Sequence, residues 1–471
     1  MKKTILTITL ISFIAISSFA QLQVSKNKRY LETNDGKPFL WIGDTAWELF
    51  HRLNREEALE YLKNRKAKGI NVIQAVVLAE RDGLRIPNSY GAVPFIDLDP
   101  TQPNEAYFEH VDFIVNEAEK LDLIIGMLPT WGDKVFSENP GAGPIVFNKE
   151  NAAVFGEFLG NRYKEKPIVW ILGGDRNIAN EEVLKIWRSM ATGIKKGDGG
   201  NHLITYHPRG NSSSSKSLHK ETWLDFNMYQ SGHDERFNDV YRLAANDYNL
   251  TPVKPTIDGE PAYEDIAVKF WDHMDFSKKE TERVPAGVLD TDGLIKDQSH
   301  FKDGFFDDYD VRVHAYWNFL AGACGYTYGN NAIWQMYKKG EPSAIPALYD
   351  WRESMDCPGA FDLQHVRTLL EDKFYKIVPD QSIIVGNTGE GEDRIAAALS
   401  NDGSLALVYL AKGQPVQIDL NKLQGKVKAS WFNTRNGKYQ KIGKYKNDKV
   451  ASFTPPSSGI GNDWMLVLES N

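Results

Sequence analysis

Two acidic residues stand just after apolar runs of the sequence, Asp175 in WILGGDRN (170–177) and Glu260 in PTIDGEPAYE (255–264). Two carboxyl groups that face each other across a substrate can hydrolyse a glycosidic bond. One donates a proton to the leaving oxygen, and the other attacks the anomeric carbon or activates water. An Asp after Gly-Gly can instead cap a helix or hold a turn, and Asp-Gly-Glu can be a turn with solvated acids. Their pairing at two apolar run ends favours the chemical interpretation.

Polar and aromatic residues also follow other apolar runs. If these runs are barrel strands, the residues beyond their ends gather at the mouth, where polar groups are costly unless used or hydrated. Taken singly, each is more often a packing or turn residue than a ligand contact. The residues predicted to bind substrate are Asp44, Trp47, Trp131, Asn177, His207, Tyr229, Gln230 and Tyr328.

The elements that would position these residues alternate along the chain. Strands are predicted at residues 39–43, 71–77, 123–128, 168–172, 203–206, 226–229, 254–258 and 323–328, and helices at 54–68, 105–120, 149–163, 180–196, 235–246 and 307–320. Eight such units predict an α/β fold, a closed (β/α)8 TIM barrel. Asp175 then follows the fourth strand and Glu260 the seventh, on roughly opposite sides of the mouth. An open doubly wound sheet is the rival, but its glycine fingerprint is missing after the first strand.

Two loops are predicted at the same mouth. The polar segment 278–304 follows the seventh strand, and NSSSSKS (211–217) follows the fifth as a flexible loop. After about residue 380, short β-type runs separated by NDGS and TRNGK predict a small antiparallel β-sandwich. The expected division is therefore a signal peptide at 1–20, a catalytic barrel at 21–379 and a C-terminal β domain at 380–471.

The N-terminus predicts export. Lys2 and Lys3 precede an apolar run over residues 5–16, and small residues at 18 and 20 fit a signal-peptidase site before Gln21. The run is too short to span a membrane, and no other stretch is long and apolar enough. We therefore expect a soluble protein in the periplasm or secreted, and its oligomeric state stays open.

The amino-acid composition indicates which classes of molecule the protein binds. The net charge of -8 is spread without the basic stripes that nucleic-acid binding needs, so nucleic acid is not expected. The 12 Trp and 20 Tyr favour sugar-stacking surfaces and hence an oligo- or polysaccharide partner. The two cysteines, Cys324 and Cys357, form either two buried thiols or one bridge.

Competing chemistries lack their motifs. Metal-binding His or Cys spacing, the G-x-S-x-G elbow and a Walker loop are all missing from the sequence, so neither a metal nor a cofactor is expected. A different plant-glycan glycosidase, such as an arabinofuranosidase or β-glucosidase, and a noncatalytic carbohydrate-binding protein remain as alternatives.

Three segments together resemble one enzyme family. FLWIGDTAWELFHRLNREEALEYLKNRKAKGINVIQ (39–74), WILGGDRN and PTIDGEPAYE are similar to the apiosidase-like glycoside hydrolases, family 140. The resemblance covers nearly all of the mature chain, and the final β region is similar to modules labelled as collagen-binding domains.

The resemblance implies roles for both acids. In the family an acid/base Asp follows strand four and a nucleophilic Glu follows strand seven, which correspond here to Asp175 and Glu260. It also implies release of apiose from pectic side chains such as those of rhamnogalacturonan II, with retention through double displacement. Many barrel glycosidases end strand four with Asn-Glu, whereas Asp175 is shorter by one methylene. We expect Asp175 to have a raised pKa because of partial burial and the second carboxylate.

Overall fold

The strands of the first 330 residues belong to two sheets in the computed structural model, which describes residues 21–137 and 142–470. In chain order they are β1 (Leu22–Val24), β2 (Leu31–Thr33), β3 (Pro38–Phe39), β4 (Trp41–Thr45), β5 (Val72–Val76), β6 (Ile124–Leu128), β7 (Ile168–Gly173), β8 (Ile204–His207), β9 (Ser212–Ser213), β10 (Asn227–Gln230), β11 (Thr256–Asp258) and β12 (Gly325–Tyr328). The signal-peptide prediction at 1–20 lies outside the described residues.

A nearly closed barrel follows from the pairing of these strands. The large sheet runs β8-β7-β6-β5-β4-β12-β11-β10-β9, and every neighbouring pair is parallel except β9 with β10. Between β8 and β10 the Asp225 N–H donates to the Ile204 carbonyl at 2.8 Å, and the Thr205 hydroxyl donates to the Phe226 carbonyl at 2.7 Å. The predicted TIM-type barrel is confirmed, with β7 as its fourth strand and β11 as its seventh.

Helices surround this barrel and connect its strands. They are α1 (Leu49–Arg52), α2 (Arg55–Ala67), α3 (Glu105–Lys120), α4 (Lys149–Tyr163), α5 (Glu181–Asp198), α6 (Ser215–Leu218), α7 (Val240–Tyr248), α8 (Asp308–Leu320), α9 (Asn331–Trp334), α10 (Trp351–Ser354) and α11 (Pro358–Leu370). Asn54 and Glu57 form a capping box at the start of α2, which explains why its predicted start lies within one residue of the observed one. The helix predicted at 235–246 instead begins at Val240.

The serine-rich segment 211–217 differs from its prediction. It forms β9 and α6 rather than a flexible loop, because its hydroxyls satisfy a buried carboxylate. Ser213 and Ser215 donate to Asp247 at 2.7 and 2.5 Å, and Thr256 adds a third hydroxyl at 2.9 Å. A buried carboxylate is costly without such donors, so the segment is fixed.

The C-terminal region consists of antiparallel sheets. Its strands are β13 (Ile377–Pro379), β14 (Ile395–Ser400), β15 (Leu405–Leu410), β16 (Val416–Asp419), β17 (Lys426–Asn433), β18 (Lys438–Lys446), β19 (Val450–Phe453) and β20 (Trp464–Ser470). Six of them form one sheet in the order β13-β14-β15-β20-β17-β18, and β16 pairs with β19. Apolar residues fill the space between the two sheets. This confirms the predicted antiparallel β region after the barrel.

The outer face of the six-stranded sheet packs against the barrel. Arg312 of α8, 2 % exposed, lies 3.1 Å from the Asp463 carboxylate, which is fully buried. The Tyr309 hydroxyl donates to the Ala411 carbonyl at 2.9 Å, and the rings of Tyr316 and Tyr409 pack 4.9 Å apart. Apolar packing and a buried ion pair therefore join the two regions.

Two further findings concern the described residues. Cys324 and Cys357 are buried free thiols, so they form no bridge with each other. Across residues 21–137 and 142–470, the helices are all too short or too polar to traverse a bilayer.

Candidate active site

The turn after β7 explains the two glycines before Asp175. Gly173, Gly174 and Asp175 have φ angles of +88°, +110° and +52°. A Cβ on Gly173 would lie 2.3 Å from the His207 carbonyl oxygen, and one on Gly174 would lie 2.8 Å from the Trp131 ring. Only glycine fits both positions, because backbone and ring approach so closely. The chain thereby leaves the strand sharply and places Asp175 at the barrel mouth.

Glu260 is held at the end of β11 by equally tight packing. A Cβ on Gly259 would lie 2.5 Å from the Met228 sulfur. The Gly259 carbonyl accepts a hydrogen bond of 2.8 Å from Gln74 Nε2, which reaches across from β5. Glu260 itself is 6 % exposed, so its carboxylate lies in a fixed and largely dry position.

Two histidines face the two oxygens of Glu260. His207 Nε2 lies 3.1 Å from Oε2, and His233 Nε2 lies 3.3 Å from Oε1. The backbone N–H groups of Asp175 and Tyr263 donate to the Nδ1 atoms of His207 and His233, each at 3.4 Å. Because an Nδ1 that accepts carries no proton, both Nε2 atoms carry one. His233 Nε2 donates its proton to Glu260 Oε1, whereas His207 Nε2 and Glu260 Oε2 are close together but are not aligned for a hydrogen bond. Burial raises the pKa of Glu260, but the two histidines outweigh it and lower that pKa to about 2.

Asp175 has the opposite environment. Its side chain is 23 % exposed and lies 3.9 Å from the Arg176 guanidinium. Burial first and the charge of Glu260 second raise its pKa to about 6, against the opposing effects of His207, Arg176 and Arg209. This matches the direction expected from the sequence. One imidazole, that of His207, connects the backbone of Asp175 to the carboxylate of Glu260.

A third carboxyl group, Glu80, shares this environment. It lies in the segment after β5 and is partly buried. Burial, followed by the charges of Asp175, Asp133 and Glu48, raises the pKa of Glu80 to about 8. The neighbouring Ala79 carbonyl accepts a hydrogen bond of 2.7 Å from Lys134 Nζ, and this bond holds the segment in place.

Aromatic rings form one wall of the site. The rings of Trp47 and Trp131 lie 5.3 Å apart, and those of Trp47 and His207 also lie 5.3 Å apart. Trp47 Nε1 donates to the Tyr263 hydroxyl at 2.9 Å. Trp131 Nε1 and Gln230 Oε1 are buried and have no hydrogen-bond partner among the described residues. The wall is therefore apolar with a few polar atoms available to a ligand.

Asn177 lies beyond the end of β7 and is partly buried. Its Oδ1 accepts from the Arg209 backbone N–H at 3.4 Å, so it joins the turns that follow β7 and β8. The structure thus brings together Asp175, Glu260, Trp47, Trp131 and His207 as predicted, with Asn177 and Gln230 at neighbouring strand ends.

Three predicted substrate contacts do not line the site. Asp44 is fully buried and bonds to Tyr61 and Arg65 of α2, with the Arg65 Nε at 2.6 Å. Tyr229 donates to Asn318 of α8 at 2.8 Å, and Tyr328 donates to Glu264 at 2.5 Å. Successive side chains of a strand point to opposite faces, and these three point outward to the helix layer. The prediction was wrong because it used the position of these residues at a strand end and not the face of the strand to which their side chains point.

Sequence reasoning missed His233, Tyr263 and Glu80. They follow β10, β11 and β5 much as Trp131 and Asn177 follow β6 and β7, so distance from a strand end does not explain why they were missed. The available signal was composition: His233 and Glu80 are titratable residues inside short segments that join two buried elements.

The arrangement suits one kind of chemistry. The Glu260 carboxylate, whose pKa is lowered by two nearby imidazoles, lies near the Asp175 carboxyl group, whose pKa is raised toward neutrality. Such a division of charge between two acids is what acid-assisted hydrolysis of a glycosidic bond uses.

Comparisons with known proteins identify the family. The family model described as "Apiosidase-like, catalytic domain" matches residues 25–376. A solved structure named "Glycoside hydrolase" is 34 % identical, with 96 % of this chain and 98 % of that chain covered and a TM-score of 0.81. The chain belongs to the apiosidase-like glycoside hydrolases.

A second solved structure supports the same assignment. It is titled a glycoside hydrolase family 5 from Bacteroides vulgatus ATCC 8482, is 33 % identical over 96 % of this chain and 93 % of that chain, and has a TM-score of 0.80. Residues 378–469 of this apiosidase-like hydrolase match the family model described as "Putative collagen-binding domain of a collagenase". No curated protein matches the chain. The enzyme is therefore a glycosidase, and its substrate is a carbohydrate.

Within residues 21–137 and 142–470, no group of three or more His, Cys, Asp or Glu side chains is arranged to hold a metal ion.

Proposed function

We propose that this glycosidase releases apiose from pectic polysaccharide, such as the side chains of rhamnogalacturonan II, by retaining double displacement. Glu260 is the nucleophile, and Asp175 is the general acid and then the general base. The observation that carries the proposal is the contrast between the two acids: two imidazole Nε2 atoms face Glu260, whereas burial and the charge of Glu260 raise the pKa of Asp175 to about 6.

The reaction proceeds in two steps. In the first, Glu260 attacks the anomeric carbon while the bond to the leaving oxygen breaks and Asp175 transfers its proton to that oxygen. In the second, the Asp175 carboxylate takes a proton from water, the water oxygen attacks the anomeric carbon, and the ester bond to Glu260 breaks. Trp47 and Trp131 provide ring faces for the sugar, and Gln230 and Asn177 provide polar atoms for its hydroxyls.

The substrate is tested directly. Rhamnogalacturonan II oligosaccharides are incubated with the enzyme, and the released sugar is identified by chromatography. Aryl apioside, arabinofuranoside and β-glucoside substrates are compared in parallel. Apiose release, abolished in Glu260→Gln, is the expected result, whereas preferential release of arabinose or glucose would assign a different glycosidase activity.

We also propose export, with residues 1–20 removed, a catalytic unit at 21–379 and a C-terminal unit at 380–471. N-terminal sequencing of the protein recovered from the periplasm or medium of a Gram-negative host should begin at Gln21. Recovery of a chain that starts at Met1 in the cytoplasm would contradict export.

A further inference from the structure

Lysines collect on one face at the edge of the six-stranded sheet. In the antiparallel pair β17 and β18, Lys426 stands opposite Lys446, Lys428 opposite Lys444, and Lys441 opposite Ser430. All five lysines are exposed. Because residues directly opposite each other in a ladder point to the same face, they form one surface, which we call the lysine surface.

The lysine surface borders the barrel. On the same face of β17, Phe432 is fully buried in the core shared with the barrel. Its partner Tyr439 is 51 % exposed, and the two rings meet edge to face at 5.0 Å. Glu469 of β20 stands beside Lys428 and is the acid nearest in the ladder. The face therefore passes from buried apolar contacts, through one exposed aromatic ring, to a row of positive charges.

Within the described part of the chain, most lysines of this surface lack the acidic partners that other lysines of the C-terminal region have. Lys412 pairs with Glu392 and Asp393, and Lys422 pairs with Asp380. By contrast, among the residues that the structure describes, no ion pair involves four of the five lysines of the surface, which are Lys426, Lys441, Lys444 and Lys446. The whole chain carries a net charge of -8, so the positive field is local.

The stability of the folded sheet does not favour lysines that face each other across two paired strands. Like charges directly opposite each other in a ladder destabilise a sheet. Lys426 with Lys446 is such a pair. A bound polyanion removes that repulsion and releases the counterions that the lysines collect. No basic stripe is visible in the sequence, because these lysines belong to two segments that become one surface only when β17 and β18 pair.

We propose that the lysine surface binds an acidic polysaccharide, a polymer whose sugars carry carboxylates, and holds it beside the catalytic barrel. The rows of ammonium groups match repeated carboxylates, and Tyr439 offers a ring face to sugar C–H groups. The choice of a polysaccharide rests on the proposed function, since the barrel of the same chain hydrolyses carbohydrate. Lysines on an edge strand also discourage pairing with another sheet, and the experiment separates that role from binding.

Binding is measured on the full chain by affinity electrophoresis and calorimetry with polygalacturonate. Neutral arabinan, anionic phospholipid vesicles and duplex DNA are the comparison ligands. Lys444→Gln with Lys446→Gln is the test variant, and Lys412→Gln with Lys422→Gln is its control, because it removes the same charge from paired lysines of the same region. We expect the wild type and the control to bind polygalacturonate, more weakly in salt, and the test variant to bind at least about tenfold more weakly.

Several results would overturn the proposal. They are no retardation of the wild type, equal weakening in both variants, comparable lysine-dependent binding of vesicles or DNA, and self-association of the test variant with unchanged polygalacturonate binding. Binding is read without turnover, so a released sugar other than apiose would revise the proposed function and leave this result standing.

Discussion

The two acids of the site differ because their immediate partners differ. Glu260 faces two Nε2 atoms whose protonation is fixed by backbone donors on the opposite ring nitrogens. Asp175 is partly buried near the negative charge of Glu260, and both effects favour its protonated form. Residue types and positions were enough to predict the pair. The histidine tautomers, which assign the roles, follow only from three-dimensional contacts.

The pH profile of kcat/KM should reflect these two pKa values. The proposed mechanism needs Glu260 ionised, which holds above about pH 2, and Asp175 protonated, which is lost as the pH rises through about 6. We therefore expect the rate on pectic oligosaccharides to fall above pH 6. Asp175→Asn should abolish this basic limb for an aryl glycoside whose leaving group needs no proton. A basic limb that persists in this variant would assign it to another group.

Removal of one histidine donor should shift the acidic limb. In His233→Ala one oxygen of Glu260 loses its donor, which is worth about 1.5 to 3 kcal/mol for a charged acceptor. The pKa of Glu260 should rise by roughly 1 to 2 units, and the acidic limb should move up with it. His233→Gln restores an amide donor and should move the limb back. His300→Asn, a partly buried histidine outside the site, should leave the limb in place.

Among the elements, the alternation of side chains along each barrel strand decides which predicted residues reach the site. Apolar runs predicted all eight barrel strands, because buried parallel strands are apolar on both faces. For the same reason the runs did not reveal which side chains point inward. Asp44, Tyr229 and Tyr328 were assigned to the mouth by adjacency, but ladder register turns them toward the helices. Register depends on pairing with neighbours, which a single sequence does not display.

Asp44 should therefore matter for folding and not for chemistry. Asp44→Asn leaves the fully buried Arg65 without its carboxylate, and breaking such a buried pair costs about 3 to 5 kcal/mol. Urea unfolding should show this loss, while kcat of the folded enzyme should stay near the wild-type value. Asp122→Asn, which breaks an exposed pair with Lys66, should cost less than about 1 kcal/mol. A large fall in kcat of the folded Asp44 variant would show that Asp44 takes part in the reaction.

At the scale of the whole molecule, α8 links the C-terminal region to the site. Arg312 of this helix pairs with the buried Asp463, and Asn318 of the same helix donates to Asp258 at 2.8 Å, two residues before Glu260. The sequence predicted a barrel and a β region as separate units. It did not show their contact, because the residues that meet are about 90 to 150 positions apart and no local pattern marks them.

The two regions should unfold together. Because they share apolar packing and a buried ion pair, calorimetry of the wild type should show one cooperative transition. Asp463→Ala removes one of the three carboxylates that pair with Arg312, and it also removes the acceptor of the Tyr409 and Thr434 hydroxyls. It should lower the unfolding free energy by about 1 to 3 kcal/mol, because buried donors lose their partner. Asp393→Ala, at an exposed pair with Lys412, should have a small effect. Two well-separated transitions in the wild type would contradict this coupling.

We propose that Glu260 and Asp175 together break a glycosidic bond. The most direct measurement is turnover of an apiose-containing pectic oligosaccharide by Glu260→Gln and Asp175→Asn, with folding monitored by circular dichroism. We expect turnover to fall by at least about 100-fold in each folded variant. A folded Glu260→Gln enzyme that retains wild-type turnover would contradict the account.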